Sequence, residues 1–363
     1  MKILFLVNND GGLYLFRKEL LETLVKNNDV FCSTPDEDGF LPNLEKIGCE
    51  CITTNLNRRG MNPFEDIKLI RRYKRIIKQT KADVVLTYTV KPNVYGGIAC
   101  QKMNVPYICN VTGLGTSIEN GGLLSNLVLR LYKIALKKAE CVFFQNEHNL
   151  SVFKDKGIVK ENTVLLPGSG VNTIKHCLED YPDDSDYFRF LFVGRIMKDK
   201  GVEELFQAME MMAGEGKKVF LDVVGGYDED YSQQINILEN QGILKYHGHQ
   251  EDVHSFYANT HCLVLPSYHE GMANVLLEAA STGRPVIASL VPGCEETFDD
   301  GITGFGCMVK DVASLKEAMA RMCSTPWSER KEMGLRGREK VKNQFDRQIV
   351  VQAYKEQLKK IRI

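Results

Sequence analysis

Two carboxylates at a fixed spacing offer the clearest chemistry in this chain. Glu270 and Glu278 fall in the run Leu263-Val264-Leu265-Pro266-Ser267-Tyr268-His269-Glu270-Gly271-Met272-Ala273-Asn274-Val275-Leu276-Leu277-Glu278-Ala279-Ala280. The apolar start reads as a short buried strand, the middle as a turn and the end as a helix. Glu270 then lies in the turn and Glu278 about two turns into the helix. A helix rises about 1.5 Å per residue, which puts the carboxyl groups on the order of 10 Å apart. Between them lie the amides of Met272, Ala273, Asn274 and Val275, at the positive end of the helix dipole. This layout can hold a diphosphate between two polyhydroxy groups, the order found in a nucleotide sugar. The competing reading is a solvated turn Glu and a helix-surface Glu.

A diphosphate also calls for cations. Gly194-Arg195-Ile196-Met197-Lys198-Asp199-Lys200-Gly201 follows a predicted strand and opens a helix. Loops at strand C-termini are where α/β folds bind ligands. Arg195 can bind an anion as a flat fork and Lys200 as a point charge. An ordinary basic loop is the alternative. Glycosidase chemistry is excluded by spacing, because a retaining pair sits about 5–5.5 Å apart. His247 and His249 lack a third ligand in register, so they read as loop or pocket-wall residues and no metal site is expected.

The elements that position these residues alternate. Strands are predicted at 3–7, 30–32, 51–53, 83–87, 106–110, 141–144 and 164–166. Helices fall between them at 13–26, 42–47, 62–79, 93–103 and 123–138, with a loop at 8–12. After the acidic, turn-rich segment 179–186, a candidate boundary approached through 167–171, the alternation restarts. Strands are expected at 190–193, 219–224, 263–265, 286–288 and 305–309, with helices at 202–212, 232–240 and the C-terminus. The pattern implies parallel sheets covered on both faces, and two doubly wound domains.

Bulk properties narrow the class. With 363 residues, 44% apolar and 26% charged, the chain fits a two-domain globular enzyme. Its eleven cysteines show no ligand spacing and no secretion signal precedes them, so reduced thiols in the cytoplasm are expected. No apolar run is long enough to cross a bilayer. Residues 1–167 hold 23 Lys and Arg against 17 Asp and Glu, whereas the remainder holds 23 against 30. Much of the excess cation lies on two predicted helices. Arg71, Arg72, Lys74, Arg75 and Lys78 crowd one, with an apolar stripe at Ile67, Ile70, Tyr73 and Ile77. Arg130, Lys133, Lys137 and Lys138 mark the other, with Leu124, Leu127, Leu131 and Ala135 opposite. Basic amphipathic helices can lie on an anionic membrane, and a solvated basic face is the alternative.

Gly194-Arg195 with Lys200-Gly201, Pro266-Ser267, and Glu270-Gly271 with Glu278 together resemble the family 4 retaining glycosyltransferases of GT-B fold. Leu166-Pro167-Gly168-Ser169-Gly170-Val171-Asn172 resembles that family's interdomain loop. Lys91-Pro92-Asn93-Val94-Tyr95-Gly96-Gly97 and Asn110-Val111-Thr112-Gly113-Leu114-Gly115 resemble bacterial transferases that build capsule, O-antigen (lipopolysaccharide) and lipid-linked oligosaccharides. The resemblance implies two Rossmann-like domains facing a cleft. Residues 1–170, joined by a C-terminal helix at about 345–363, would bind acceptor, and 171–344 the UDP-sugar donor.

By the same resemblance Arg195 and Lys200 hold the donor diphosphate, Glu270 bonds sugar hydroxyls and Glu278 the ribose. Gly194, the Gly271–Val275 turn, Gly225-Gly226 and the turn at His247-Gly248 complete the donor site. Gly11-Gly12 would let backbone approach donor phosphate or acceptor, a tight turn being the other reading. The implied activity is retaining and metal-independent, with no cofactor. It would move an N-acetylhexosamine or hexose to a lipid-linked or free glycan, on the inner face of the cell membrane and without nucleic acid. Two departures stand out. Many relatives carry a His after the strand ending near Asn110, where this chain has Asn110-Val111-Thr112, so Lys91, Asn110 or Thr112 are left for the sugar side. Glu295 and Glu296 follow Pro292-Gly293-Cys294 where a basic residue is common. A nucleotide-sugar 2-epimerase of the same fold is the competing enzyme class, and a non-catalytic sugar-nucleotide sensor the competing binding class.

Overall fold

In the computed structural model, residues 1–56, 62–113, 122–184 and 187–361 are described. Two compact units divide the chain: Met1–Ser169 with Gln348–Ile363, and Gly170–Arg347. The resemblance-bearing residues Leu114 and Gly115, and Ser185 and Asp186 of the acidic segment, lie outside the described residues.

The first unit has seven strands: β1 Lys2–Leu6, β2 Asp29–Thr34, β3 Glu50–Thr53, β4 Val84–Tyr88, β5 Tyr107–Val111, β6 Cys141–Phe144 and β7 Thr163–Leu165. All pair in parallel, in the order β3-β2-β1-β4-β5-β6-β7. Unbroken apolar runs suit strands covered on both faces, and a core cluster lies on each. The helices are α1 Asp10–Leu24, α2 Leu41–Ile47, α3 Pro63–Thr80, α4 Gly97–Met103, α5 Gly122–Ala135 and α6 Glu147–Asp155.

Several boundaries differ from expectation for identifiable reasons. Helix α1 begins at Asp10, within the predicted 8–12 loop, because the Asn9 side chain caps it by accepting from the Gly12 amide. Gly11 and Gly12 are therefore in its first turn. A Cβ at Gly11 would fall 2.7 Å from Asp38 Oδ2, so glycine there admits the loop after β2. The predicted helix over 93–103 opens with a π-helical turn, Pro92–Gly96. On α5 the buried apolar side chains are Val128, Leu129, Tyr132 and Ala135, while Leu124 and Leu127 are exposed. The apolar stripe expected there was thus only partly the packed one. On α3, likewise, Tyr73 and Ile77 are buried but Ile67 is exposed.

The second unit carries β8 Phe188–Val193, β9 Val219–Val224, β10 Leu244–Tyr246, β11 Cys262–Leu265, β12 Val286–Ser289 and β13 Gly304–Cys307. They form a parallel sheet in the order β10-β9-β8-β11-β12-β13. Its helices are α7 Val202–Gly214, α8 Ser232–Asn240, α9 His254–Ala258, α10 Asn274–Ser281, α11 Val312–Ser324 and α12 Trp327–Gln344. The final helix, α13 Arg347–Lys360, sends Val350, Val351, Tyr354 and Leu358 into the core of the first unit. The acidic segment belongs to the second unit, where Tyr181 is buried and its hydroxyl donates to His261 O at 2.9 Å. Glu278 lies about one turn into α10 rather than two, because the helix starts at Asn274.

Candidate active site

In the second sheet the strand order reverses between β8 and β11, the switch point where α/β sheets open a crevice. The loops that follow these two strands carry the predicted cations and the first carboxylate. They are stitched together: the Tyr268 amide donates to Asp199 O at 2.8 Å, and Ser267 Oγ to the same oxygen at 3.2 Å. Gly201, at φ +70, makes this approach possible, since a Cβ there would fall 2.1 Å from Pro266 O.

Lys200 and Glu270 meet directly, Nζ donating to Oε1, with their side chains 20% and 15% exposed. One ammonium proton is used, leaving two for another acceptor. Arg195, on the same loop, is 59% exposed and reaches Asp228 Oδ2 at 3.2 Å. Asp228 had no sequence signal beyond lying in the loop after β9. The Pro292–Cys294 loop covers Glu270 from the other side. A Cβ at Gly293, where φ is +84, would fall 2.3 Å from Glu270 O. Glu296 accepts from the Gly293 amide at 2.6 Å, which explains an acidic residue where a basic one is common.

The amides after Glu270 divide. Those of Ala273 and Asn274 donate to Gly293 O and Met272 O at 2.8 and 3.0 Å. They hold the turn, with Met272 and Ala273 buried, and are not turned toward an incoming anion. Val275 lies in the first turn of α10.

Glu278 has two neighbours that the sequence did not disclose. Tyr257 donates to Oε2 at 2.8 Å, and His176 Nε2 lies 3.9 Å from Oε1. Burial pushes the Glu278 pKa up, against the Tyr257 hydrogen bond and the Arg347 and Lys175 charges. A raised folded-state pKa contributes stability fully below the unfolded value and loses it as pH rises through the folded one. Glu278→Gln should therefore raise the melting temperature more at pH 8 than at pH 4. Melting curves at the two pH values check this, and an equal shift at both would contradict it.

Glycines step across the C-terminal edge of the sheet beyond β8, β9 and β10. The Gly194 amide donates to Val224 O at 2.9 Å and the Gly225 amide to Gly248 O at 2.8 Å. At Gly225, φ +147, a Cβ would fall 1.8 Å from Gly194 O, so no other residue fits. Gly226 accepts from the Ile196 amide at 2.9 Å. The rings of Tyr227 and Tyr246 lie 4.9 Å apart beside this edge. The His247 ring is engaged elsewhere, its Nε2 2.8 Å from Asp222 Oδ1 and its ring edge-on to Phe256. With Arg189 it lines a cavity of about 420 Å³.

The first-unit candidates separate too. Asn110 is buried, donating to Thr87 O at 3.1 Å and accepting from the Tyr354 hydroxyl. Its amide joins β4 and β5 to α13. Thr112 is half-buried just beyond β5. Lys91 pairs with Asp66 at 3.5 Å and lines a cavity of about 340 Å³ with Lys68, Arg72, Glu37 and Asn55. Asp10, unmarked by sequence reasoning, accepts the Phe40, Asp38 and Glu37 amides at 2.8, 3.1 and 3.4 Å. Burial works to raise its pKa, and these amides more than offset it.

Two doubly wound parallel-sheet units, with charged loops at a switch point, define a GT-B architecture. The fold is shared across nearly the whole length with sucrose-phosphate synthase of Thermosynechococcus elongatus (TM-score 0.82, 21% identity, 99% of each chain). It is shared equally with Anabaena HepE in complex with UDP and glucose (TM-score 0.82, 19% identity, 99% of each chain). A family profile described as glycosyl transferases group 1 matches residues 178–340, and one described as glycosyl transferase 4-like matches residues 2–146. The chain thus carries a glycosyl transferase 4-like domain followed by a glycosyl transferases group 1 domain. It is 28% identical to the capsular polysaccharide biosynthesis glycosyltransferase CapM of Staphylococcus aureus, over 96% of this chain and 94% of that one. It is 27% identical to the N,N'-diacetylbacillosaminyl-diphospho-undecaprenol alpha-1,3-N-acetylgalactosaminyltransferase of Campylobacter jejuni, over 88% and 89%.

Proposed function

We propose that this glycosyltransferase moves a sugar, an N-acetylhexosamine or hexose, from a UDP-sugar to a glycan acceptor carried on a polyprenyl diphosphate, with retention of anomeric configuration and without a metal on the donor. The observation that carries the reading is the Lys200–Glu270 pair at the switch point of the second sheet. Glu270 offers a carboxylate to sugar hydroxyls, and Lys200 keeps two protons for the diphosphate beside it. Arg195 adds a second cation from the same loop. As the sugar–oxygen bond breaks, charge collects on the departing diphosphate, where Lys200 and Arg195 stabilise it in place of a metal. Glu278 takes the ribose, and Gly194, Gly225 and Gly226 let backbone approach the nucleotide closely. Retention follows when the acceptor attacks from the leaving-group face, with the diphosphate oxygen receiving its proton.

The acceptor belongs to the first unit in this reading, with Lys91 and Thr112 as its candidates there. The Campylobacter relative's name specifies an undecaprenol-linked substrate, which supports a lipid-linked acceptor here. Surface chemistry supports a membrane-facing first unit. Leu124, Leu127 and Ile134 of α5 are 41%, 47% and 56% exposed, among exposed Arg130, Lys133 and Lys137. Phe64 and Ile67 of α3 are 76% and 49% exposed. Among the described residues no helix is long and apolar enough to cross a membrane. Surface cations contribute about 1 kcal/mol each at an anionic bilayer. Reversing Arg130, Lys133 and Lys137 to Glu should therefore abolish co-sedimentation with anionic liposomes, with transfer to a soluble acceptor unchanged. Equal sedimentation of variant and wild type would remove the peripheral, inner-face placement.

A further inference from the structure

The segment that leads into the second unit brings three side chains of different chemistry together, away from the Lys200–Glu270 loops. Cys177 Sγ lies 3.4 Å from Glu179 Oε1 and 3.8 Å from His254 Nε2, and that nitrogen lies 2.9 Å from the Glu179 oxygen. A tetrahedral zinc has bonds of about 2.3 Å to sulfur and about 2.0 Å to nitrogen or oxygen, so its ligand–ligand edges measure about 3.3–3.6 Å. The three atoms already form one face of such a tetrahedron, to within about 0.5 Å on each edge.

Separate backbone anchors hold this arrangement. The Glu179 amide donates to Thr282 O at 3.2 Å, and Arg284 reaches Glu179 O at 3.3 Å. His176 O, next to Cys177, accepts from Ser281 Oγ at 2.6 Å. His254 opens α9, its amide capped by Asp252 Oδ1 at 3.1 Å. The ligands thus come from two chain segments, each fixed by bonds that do not involve the ligating atoms. Cys177 is the exposed one of the eleven cysteines, so the face opens toward solvent and a water can complete the shell. A thiolate, an imidazole and one carboxylate select a borderline-soft cation over calcium or magnesium, which take oxygen shells.

We propose that Cys177, Glu179 and His254 form a binding site for one divalent cation of the zinc class, which ties the 177–179 segment to α9. The cation replaces the thiol proton, which passes to solvent as the sulfur–metal bond forms. The site lies behind the donor wall: the buried His176 ring is 5.9 Å from that of His254, and its Nε2 is 3.9 Å from Glu278 Oε1. It is separate from the metal-free diphosphate chemistry assigned to Lys200 and Arg195, and does not depend on it.

The test uses the full chain, stripped with a chelator and titrated with Co²⁺ under reducing conditions. One equivalent should bind with a thiolate-to-cobalt charge-transfer band, and Zn²⁺ should bleach it. Cys177→Ser should lose the band, His254→Ala should lose stoichiometric binding, and Zn²⁺ should raise the melting temperature of the wild type but of neither of these two variants. Melting of the metal-free variants near the wild-type temperature shows that they are folded. Glu179→Gln, which keeps the side chain's size, should retain the band at weaker affinity. Absence of the band in the folded wild type, or its persistence in Cys177→Ser, would overturn the assignment.

Discussion

Replacing Lys200 by alanine should lower kcat/KM for sugar transfer by about 10²–10³-fold, the loss typical of one donor aimed at developing charge. Most of the loss should fall on kcat, because the ammonium matters most when the diphosphate departs. Melting curves separate this loss from unfolding, since Lys200→Ala leaves the mostly buried Glu270 carboxylate without its cation. Glu270→Ala should abolish transfer and should also raise KM for the donor, since the sugar hydroxyls lose their acceptor. Glu270→Gln distinguishes charge from shape: it keeps hydrogen-bonding atoms but leaves Lys200 without its anion. Rates with saturating donor, alongside melting curves, check all three. Full activity in Lys200→Ala or Glu270→Ala would remove the site assignment.

The largest stability effect should come from Arg284, a fully buried cation with no carboxylate on its guanidinium among the described residues. It donates to Tyr257 O at 2.8 Å, Asp180 O at 2.7 Å and Ala258 O at 2.9 Å, and lies over the Tyr181 ring at 5.6 Å. Burial pushes its pKa down to about 10, so it stays charged at neutral pH. Arg284→Ala leaves a cavity and strands several buried carbonyls. The cost should be about 3–5 kcal/mol, in line with breaking other buried charge networks. For a domain of this size that lowers the melting temperature by on the order of 10 °C. Arg284→Lys should not rescue it, because an ammonium cannot reproduce the planar fork. A shift under about 2 °C in Arg284→Ala would show that the carbonyls find other partners.

Strand–helix alternation and loops at strand ends were legible because they are local. Lys200 and Glu270 could each be placed on a loop after an apolar strand, but their direct contact was not legible, because it depends on β8 and β11 lying side by side in the sheet. The surroundings of Glu278 were not legible. Tyr257 and His176 come from other segments, and nothing in their local pattern marks them. The Cys177, Glu179 and His254 cluster was hidden for the same reason, its third ligand arriving from the start of α9. Periodicity misplaced part of the packed face of α5, because Leu124 and Leu127 fit an apolar stripe as well as Val128 and Leu129 do. Only contact with α4 and β5 decides which leucines are covered. The start of α1 was missed because two glycines after Asn9 read as loop, although one leaves room for Asp38.

The central claim is that the Lys200–Glu270 site passes a sugar from a nucleotide diphosphate to a lipid-linked glycan. Its most direct test is a reaction of the purified chain with UDP-sugars, GDP-sugars and a polyprenyl-diphosphate-linked sugar, read by mass and by the anomeric coupling of the product. The expected result is an acceptor heavier by one sugar from a UDP donor, with the donor's anomeric configuration kept and the initial rate lowered by about 10²–10³-fold for Lys200→Ala. Conversion of a UDP-sugar to its 2-epimer without acceptor, or transfer with inverted configuration, would contradict it.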